Sequence, residues 1–283
     1  MRVSFCVLSN NYNRLDKFIS QTLNLSRRRI KFLFSENRIY INRRLAKKSE
    51  KPEKGDLIEV EFIDENFDYR NSNLKIVKET KDYLIIYKPA RFHSQELFKS
   101  KFSVENFLKS IYGENVKLLN RLDYYSQGFL IASKTEDFYK KFKQEEEDKK
   151  IEKYYLTFVE GRFLSKIKIT NSIDYKRRKI VKVLDKISDK IITEVFPVGI
   201  YSTFSIVCAK IYKGARHQIR AHLSYKSHPL IGDTVYGSKI NIDMFLFCFG
   251  YYSKELNLNF FDFSLLKEEA RKYLKILLNF DIF

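Results

Sequence analysis

Only nine of the 283 residues are glycine, and five of those nine fall in three short polar stretches. The five are Gly128, Gly161, Gly214, Gly232 and Gly237. A chain uses glycine where the backbone takes a positive φ or must lie close against another group. With so few available, a fold of this length has to be built mainly from regular strands and helices. Its unusual backbone geometry then has to be concentrated in those stretches. They are the first places to look for a functional site.

The length suits two domains or one large one, long enough to bury a core without disulfides or metals. Apolar residues make up 44% and charged residues 31%, the balance of a soluble globular chain rather than a disordered one. Lys and Arg number 53 against 35 Asp and Glu, a formal charge of +18, which argues for a polyanionic partner. Lys, Asn, Ile, Phe and Tyr are all served by A/T-rich codons, so the placement of the charge carries more weight than its total. The longest strongly apolar run, near Met244 to Tyr252, is about half of a bilayer span, and no membrane partner is expected. The first residues are too short and polar for a signal peptide. Cys6, Cys208 and Cys248 are scattered and odd in number, which fits a reducing cytoplasm better than a disulfide framework. None of His93, His217, His222 and His228 pairs with cysteine at zinc spacing, so no metal site is expected.

Residues 1–62 carry 14 Lys and Arg against 7 Asp and Glu, about twice the charge per residue of the rest. Leu15, Phe18, Ile19, Thr22 and Leu23 have helical spacing. Ser26 is placed to cap a second helix running to Phe34, with Ile30, Leu33 and Phe34 facing inward and Arg27, Arg28 and Lys31 outward. Ile39–Ile41 and Leu57–Phe62 read as strands, the second preceded by a Lys54-Gly55-Asp56 turn. The pattern Arg14-Leu15-Asp16-Lys17-Phe18-Ile19, Ser26-Arg27-Arg28, Asn37–Asn42 and Lys54–Ile58 resembles the S4 RNA-binding domain, a small α/β module, over Asn13 to Phe62. Arg offers phosphate a planar donor fork, so Arg27, Arg28 and Lys31 are expected to touch RNA. The plain alternative is a solvated basic helix without a partner.

Residues 63–73 are polar and aperiodic and read as a linker to a larger domain at 74–283. There Leu74–Val77 and Tyr83–Tyr87 look like strands, the second ended by Lys88-Pro89. The charge run from Lys140 to Lys153 reads as the solvated face of a helix, and Leu265–Leu278 as a helix packed on the exterior. The first glycine stretch, Asn120-Arg121-Leu122-Asp123-Tyr124-Tyr125-Ser126-Gln127-Gly128, puts one carboxylate on a loop before an apolar strand. On its own Asp123 is more often a turn or cap residue. The second, Lys153–Gly161, alternates so that Tyr155, Thr157 and Val159 share a face. In the third, Gly214 is placed to open a helix on which Arg216, Arg220 and Leu223 lie near one another, and Pro229–Gly237 follows it.

Taken together the stretches resemble the RluA family of pseudouridine synthases. Its H-R-L-D-x-x-[TS]-S-G pattern is matched from Asn120 to Gly128, and K-x-Y-x-A-x-V-x-G by Lys153, Tyr155, Thr157, Val159 and Gly161. G-R-x-H-Q-I-R-x-H-L is matched by Gly214, His217, Gln218, Ile219, Arg220, His222 and Leu223. P-[IL]-x-G-D-x-x-Y-G is matched by Pro229, Leu230, Gly232, Asp233, Tyr236 and Gly237. The chain departs from the pattern at Asn120 for His, Gln127 for Ser, Ala215 for Arg and Arg91 for Gly.

The resemblance implies an α+β protein: a mixed, mostly antiparallel-sheet catalytic domain preceded by the S4-like module. It implies an isomerase that converts specific uridines to pseudouridine in large-subunit (23S) ribosomal RNA, as a monomer in the cytoplasm. The reaction cuts and remakes one base–sugar bond without redox change, so no cofactor is expected. The resemblance gives Asp123 the role of attacking the anomeric carbon or removing the neighbouring sugar proton, with both options open. Arg220 is its salt-bridge partner, and Tyr155 lies against the uracil, where stacking suits a phenol with an ordinary pKa near 10 better than acting as a base. Arg121, His217 and Gln218 are expected to bind substrate. The target uridine must be flipped or unpaired to reach such a pocket. Alternatives are a synthase acting on transfer RNA, a non-catalytic ribosome assembly factor, and a glycoside hydrolase with Asp233 as second carboxylate.

Overall fold

The computed structural model describes residues 2–23, 25, 27–35, 37–61, 73–95, 103–174 and 180–279. They divide into a smaller N-terminal unit and a larger C-terminal one. The expected linker at 63–73 lies outside the described residues except for Asn73.

The smaller unit runs β1 (Arg2–Cys6), α1 (Leu15–Thr22), α2 (Arg27–Ser35), β2 (Ile39–Ile41), β3 (Arg44–Leu45), β4 (Leu57–Glu61). Its sheet is antiparallel throughout, in the order β1-β4-β2-β3. Leu15, Phe18 and Ile19 of α1 and Ile30 and Leu33 of α2 close over Ile39, Ile41, Ile58 and Val60 of the sheet. Each such side chain contributes roughly 1.5–3 kcal/mol by leaving water. Thr22 falls off the expected face and is exposed. Strand β1 is not legible as a strand in the sequence, because only its pairing with β4 defines it. Asn42 and Arg43 take φ of 49° and 65° and turn β2 into β3, as a two-residue hairpin with right-handed twist requires. Lys31, Arg43, Arg44, Lys47 and Lys48 are exposed, while the side chains of Arg27 and Arg28, and the whole of Ser26, lie outside the described residues.

The larger unit contains β5 (Lys75–Glu79), β6 (Tyr83–Lys88), α3 (Val104–Tyr112), β7 (Lys117–Leu118), β8 (Gln127–Ser133), α4 (Glu136–Glu147), β9 (Glu152–Glu160), β10 (Ile167–Ile169), β11 (Asn171–Asp174), β12 (Lys182–Ile187), β13 (Thr193–Ile200), β14 (Phe204–Ile211), α5 (Gln218–Tyr225), β15 (Leu246–Ser253), β16 (Leu258–Phe261) and α6 (Phe263–Asn279). Its main sheet is ordered β10-β13-β14-β9-β15-β8-β6-β5, with β7 on β8 and β16 on β15. Every pairing is antiparallel except β15 with β8, which makes the sheet mixed. The β11–β12 hairpin stands apart from it.

Gly128 shows why glycine is needed at the start of β8. Its φ is +112°, and a Cβ there would collide with the Cys248 backbone of β15. Helix α6 covers the sheet as its spacing predicts: Tyr273 packs its ring 4.8 Å from that of Phe158 and donates to the Ile231 carbonyl at 3.0 Å. The 140–153 charge run is a solvated face at Lys140, Lys141, Glu147, Asp148 and Lys150, but not at Glu146 and Lys153, which are buried. Helix α4 ends at Glu147, Phe138, Phe142 and Glu146 point into the core, and Lys153 belongs to β9. No helix among the described residues is long and apolar enough to cross a membrane.

Candidate active site

Asp123 lies on the loop between β7 and β8, and that loop is pinned from both sides. Ser94, itself buried, accepts from the Leu122 N–H at 3.0 Å and donates to the Leu122 carbonyl at 2.7 Å. Asn120 accepts from the Ile131 N–H at 3.0 Å and donates through Nδ2 to the Tyr251 hydroxyl at 2.7 Å. The amide thus supplies one acceptor and one donor, and Asn120 works as a loop anchor. A carboxylate held this way loses little freedom when it meets a substrate.

Asp123 borders a cavity of about 360 Å³ that also includes Arg121, Ser126, Tyr155, His217, Gln218 and Arg220. Its side chain is about one-quarter exposed, enough to be reached from the cavity. Arg220 Nη1 donates to Asp123 Oδ2 at 3.4 Å, but its stronger attachment is to Asp233. Nε and Nη2 form a bidentate pair with Asp233 at 2.6 and 2.8 Å, and both groups are buried. The guanidinium also lies 4.9 Å over the Tyr236 ring. Asp233 therefore orients Arg220 and leaves one arm for Asp123. That also removes the footing of the hydrolase alternative, because the second carboxylate is committed to an arginine.

The third glycine stretch differs from its reading as a helix opened by Gly214. Helix α5 begins at Gln218, and His217 precedes it in the left-handed region with φ 53°. Arg216 consequently lies off the helix. That backbone turn aims the His217 ring: Nε2 is 3.9 Å from Asp123 Oδ1 and Nδ1 is 2.8 Å from the Tyr236 hydroxyl. Tyr236 also accepts from the Val181 N–H at 3.1 Å, which fixes its hydroxyl beside Nδ1. Burial and then the Arg220 and Arg216 charges lower the His217 pKa, and the Asp123 charge opposes them. Gln218 borders the cavity but is committed to the protein: its amide donates to the Ile192 carbonyl and Thr193, and it accepts from Ala215 N–H at 2.9 Å. It holds the loop and has no free group for substrate. Arg121 is exposed at the cavity and donates to Gln95 at 3.3 Å.

Tyr155 sits in mid-sheet on β9, beside Ala209 of β14 and Cys248 of β15. Burial, followed by the Cys248 beside it, with which it shares a hydrogen bond, pushes its pKa well above the ordinary value. The hydroxyl points into a buried chain in which Cys248 donates to Tyr251 at 3.3 Å and Tyr251 donates to the Phe129 carbonyl at 2.5 Å. Tyr155 can present its ring to the cavity, but its oxygen is occupied and its proton tightly held.

Three charges near the site, Lys88, Glu146 and Lys153, are buried, which the sequence reading did not anticipate. Lys88, at the end of β6, is fully buried, and its Nζ donates to the Pro89 and Phe92 carbonyls at 2.8 Å each. Burial pulls its pKa down to about 7, with the Asp123 charge opposing. Glu146 and Lys153 form a buried ion pair on the cavity wall, and Lys143 adds a second bond to Glu146 at 3.1 Å and one to the Leu119 carbonyl at 2.7 Å. The available signal was a lysine directly after the five apolar residues of β6, a place where solvation is scarce.

The RNA pseudouridylate synthase family matches residues 82–225, just over half of the chain and the whole run from β6 to α5. The chain belongs to this family. It is thus an isomerase acting on RNA, an RNA pseudouridine synthase. An uncharacterized RNA pseudouridine synthase of Mycoplasma genitalium is 27% identical over 253 residues, 83% of this chain and 80% of that protein. Another from Helicobacter pylori is 30% identical over 145 residues, covering 50% of this synthase and 60% of the relative. Ribosomal large subunit pseudouridine synthase D of Blochmanniella floridana is 26% identical over 272 residues, 89% and 83% of the two chains. Among solved structures, human RNA pseudouridylate synthase domain containing 4 superimposes with a TM-score of 0.54 over 66% of this synthase and 87% of that chain. At 18% identity it supports the fold alone.

Proposed function

We propose that this synthase converts specific uridines of large-subunit ribosomal RNA to pseudouridine, with Asp123 as the group that meets the ribose. The observation that carries the proposal is the convergence on Asp123 of one arm of Arg220 and the Nε2 side of His217, in a single cavity that the ring of Tyr155 also lines. Arg220 pairs with the carboxylate, and Asp233 keeps Arg220 from swinging away. Asp123 then attacks the anomeric carbon and displaces the base at N1, or takes the adjacent sugar proton so that the N1–C1′ bond breaks. The freed uracil turns against Tyr155, its C5 bonds to the sugar as Asp123 leaves or the sugar proton returns, and C5 gives up its proton while N1 takes one up. The catalytic residues are Asp123, Tyr155 and Arg220; Arg121 and His217 lie where the flipped nucleotide enters.

Large-subunit RNA is favoured because the relative from Blochmanniella floridana, aligned over most of both chains, is named for that subunit. The same reading makes the N-terminal unit an S4-like RNA-binding module of an RluA-type enzyme. Arg27, Arg28 and Lys31 meet phosphate there, and the enzyme works as a cytoplasmic monomer. Mapping pseudouridines in ribosomal and transfer RNA from a deletion strain tests the substrate: the expected result is loss of one or more sites from the large subunit only. Re-expressed Asp123→Asn should restore RNA binding but no product. Sites missing from transfer RNA instead would overturn the ribosomal assignment, and product from Asp123→Asn would overturn the mechanism.

A further inference from the structure

The loop that carries Asp123 has two sides. The Ser126 N–H donates to the Asp123 carbonyl at 3.1 Å, which closes a β-turn with Tyr124 and Tyr125 at its two corners. Asp123 and Ser126 line the cavity, whereas the corner residues stand outside it with 39% and 49% of their surface in solvent. Turn corners favour Gly, Pro, Asn, Asp and Ser for conformational reasons, and two tyrosines serve none of these. Neither ring is buried in the core, so the fold gains little from them. They are grouped all the same: Tyr124 and Tyr125 meet edge to face at 5.0 Å, and the His93 ring lies 4.6 Å from Tyr124. Arg91, held by Asp243 through two bonds of 2.7 Å, places a guanidinium close enough to feel both phenols.

We propose that Tyr124 and Tyr125 form a stacking platform for the base next to the target uridine in the RNA strand. The inference rests on the reading of Asp123 as the group that meets the target ribose. Asp123 and the two corner residues belong to one tight turn, so a strand that delivers its target ribose to Asp123 passes the exposed rings of Tyr124 and Tyr125. Extruding a uridine strips its neighbour of a stacking partner and costs unstacking energy. An aromatic face at the turn corner covers that exposed base and offsets the cost. It accepts any base, because every base has a π-face. The platform therefore selects for a splayed single strand rather than for a sequence.

The test uses the full-length protein and two probes. The first is a short uridine-rich oligoribonucleotide with 2-aminopurine on one side or the other of a single uridine, whose fluorescence is quenched on stacking. The second is unmodified large-subunit ribosomal RNA transcribed with tritium at uridine C5, which is released on isomerisation. The Tyr124→Ala/Tyr125→Ala double variant should lose the quench and bind the oligonucleotide about 5- to 150-fold more weakly, the range for one aromatic–base stack. Tritium release should fall in kcat/KM by a similar factor. The paired Tyr→Phe variant should behave as wild type, since the ring is kept. Should the alanine variant melt early, a Tyr→Leu pair, which keeps apolar bulk without a ring, gives the same comparison. Alanine or leucine variants that quench and bind like wild type would overturn the platform. Phenylalanine variants as weak as alanine would also overturn it, pointing to the hydroxyls. If the wild-type protein releases no tritium, the ribosomal assignment fails, and the quenching result still decides the platform.

Discussion

The two units of this synthase use charge in opposite ways. In the N-terminal unit Lys31, Arg43 and Lys47 stand in solvent over a small apolar core, while the exposed Arg44 and Lys48 pair with Glu50 and Asp16. In the larger unit Lys88, Lys153 and Arg220 are buried, each with partners arranged around it. An exposed cation keeps its hydration and needs no fixed neighbour, so it attracts phosphate without specifying a pose. A buried cation has given up water and is tolerable only if hydrogen bonds replace it, which fixes its position. One arrangement suits gripping a polyanion at many registers, and the other suits holding one carboxylate at one atom.

This contrast can be broken most sharply at Asp233. Asp233→Asn leaves the buried Arg220 guanidinium without its bidentate anion and should cost about 3–5 kcal/mol of stability, read by denaturant unfolding. Product formation should fall as well, since Arg220 loses the orientation that brings it to Asp123. A variant as stable and active as wild type would remove the distinction between the two kinds of charge.

A pH titration sharpens the same point. His222 is buried and neutral, accepting a bond from Thr193 at 2.8 Å and donating to the Asn171 carbonyl at 3.0 Å. Burial pulls its pKa down to about 4 from 6.5. Between those values the unfolded chain takes up a proton that the folded one refuses, so stability present above pH 6.5 is lost as pH falls toward 4. The loss should approach about 3 kcal/mol, measured as unfolding free energy against pH. His222→Gln should flatten that limb, and an unchanged slope would mean that another group sets it.

The smallest effect is expected in the N-terminal unit. Lys31→Gln with Lys47→Gln should shift stability by no more than about 0.5 kcal/mol. RNA binding should still weaken, with the log–log salt dependence reduced by roughly 0.7–0.9 for each phosphate that is no longer neutralised. A large drop in melting temperature would show that these side chains are structural after all.

The sequence reading succeeded where structure is local. The periodicities at 15–23 and 30–34 gave helices that bury Leu15, Phe18, Ile19, Ile30 and Leu33 and half-bury Leu23 and Phe34, with Thr22 alone off the face, and Tyr155, Thr157 and Val159 share a buried face of β9 as alternation requires. It failed where a residue's neighbours are distant in the chain. Strand β1 is a strand only because β4 lies beside it. Glu146 looked like one more charge on a wet helix until Lys153 was set against it. Gln218 looked free to bind substrate until β13 and the turn before it supplied its partners.

Residue type and spacing alone, then, marked the glycine-bearing turns, because backbone preference is a local property, and the resemblance of their motifs to a family singled out Asp123, Tyr155 and Arg220 within them. Only the tertiary structure decided that Arg220 belongs first to Asp233, that the Tyr155 hydroxyl is spent on Cys248, and that His217 faces Asp123. Those are questions of which groups share a dry neighbourhood, and a chain of residues does not specify its neighbourhoods until the sheet has closed.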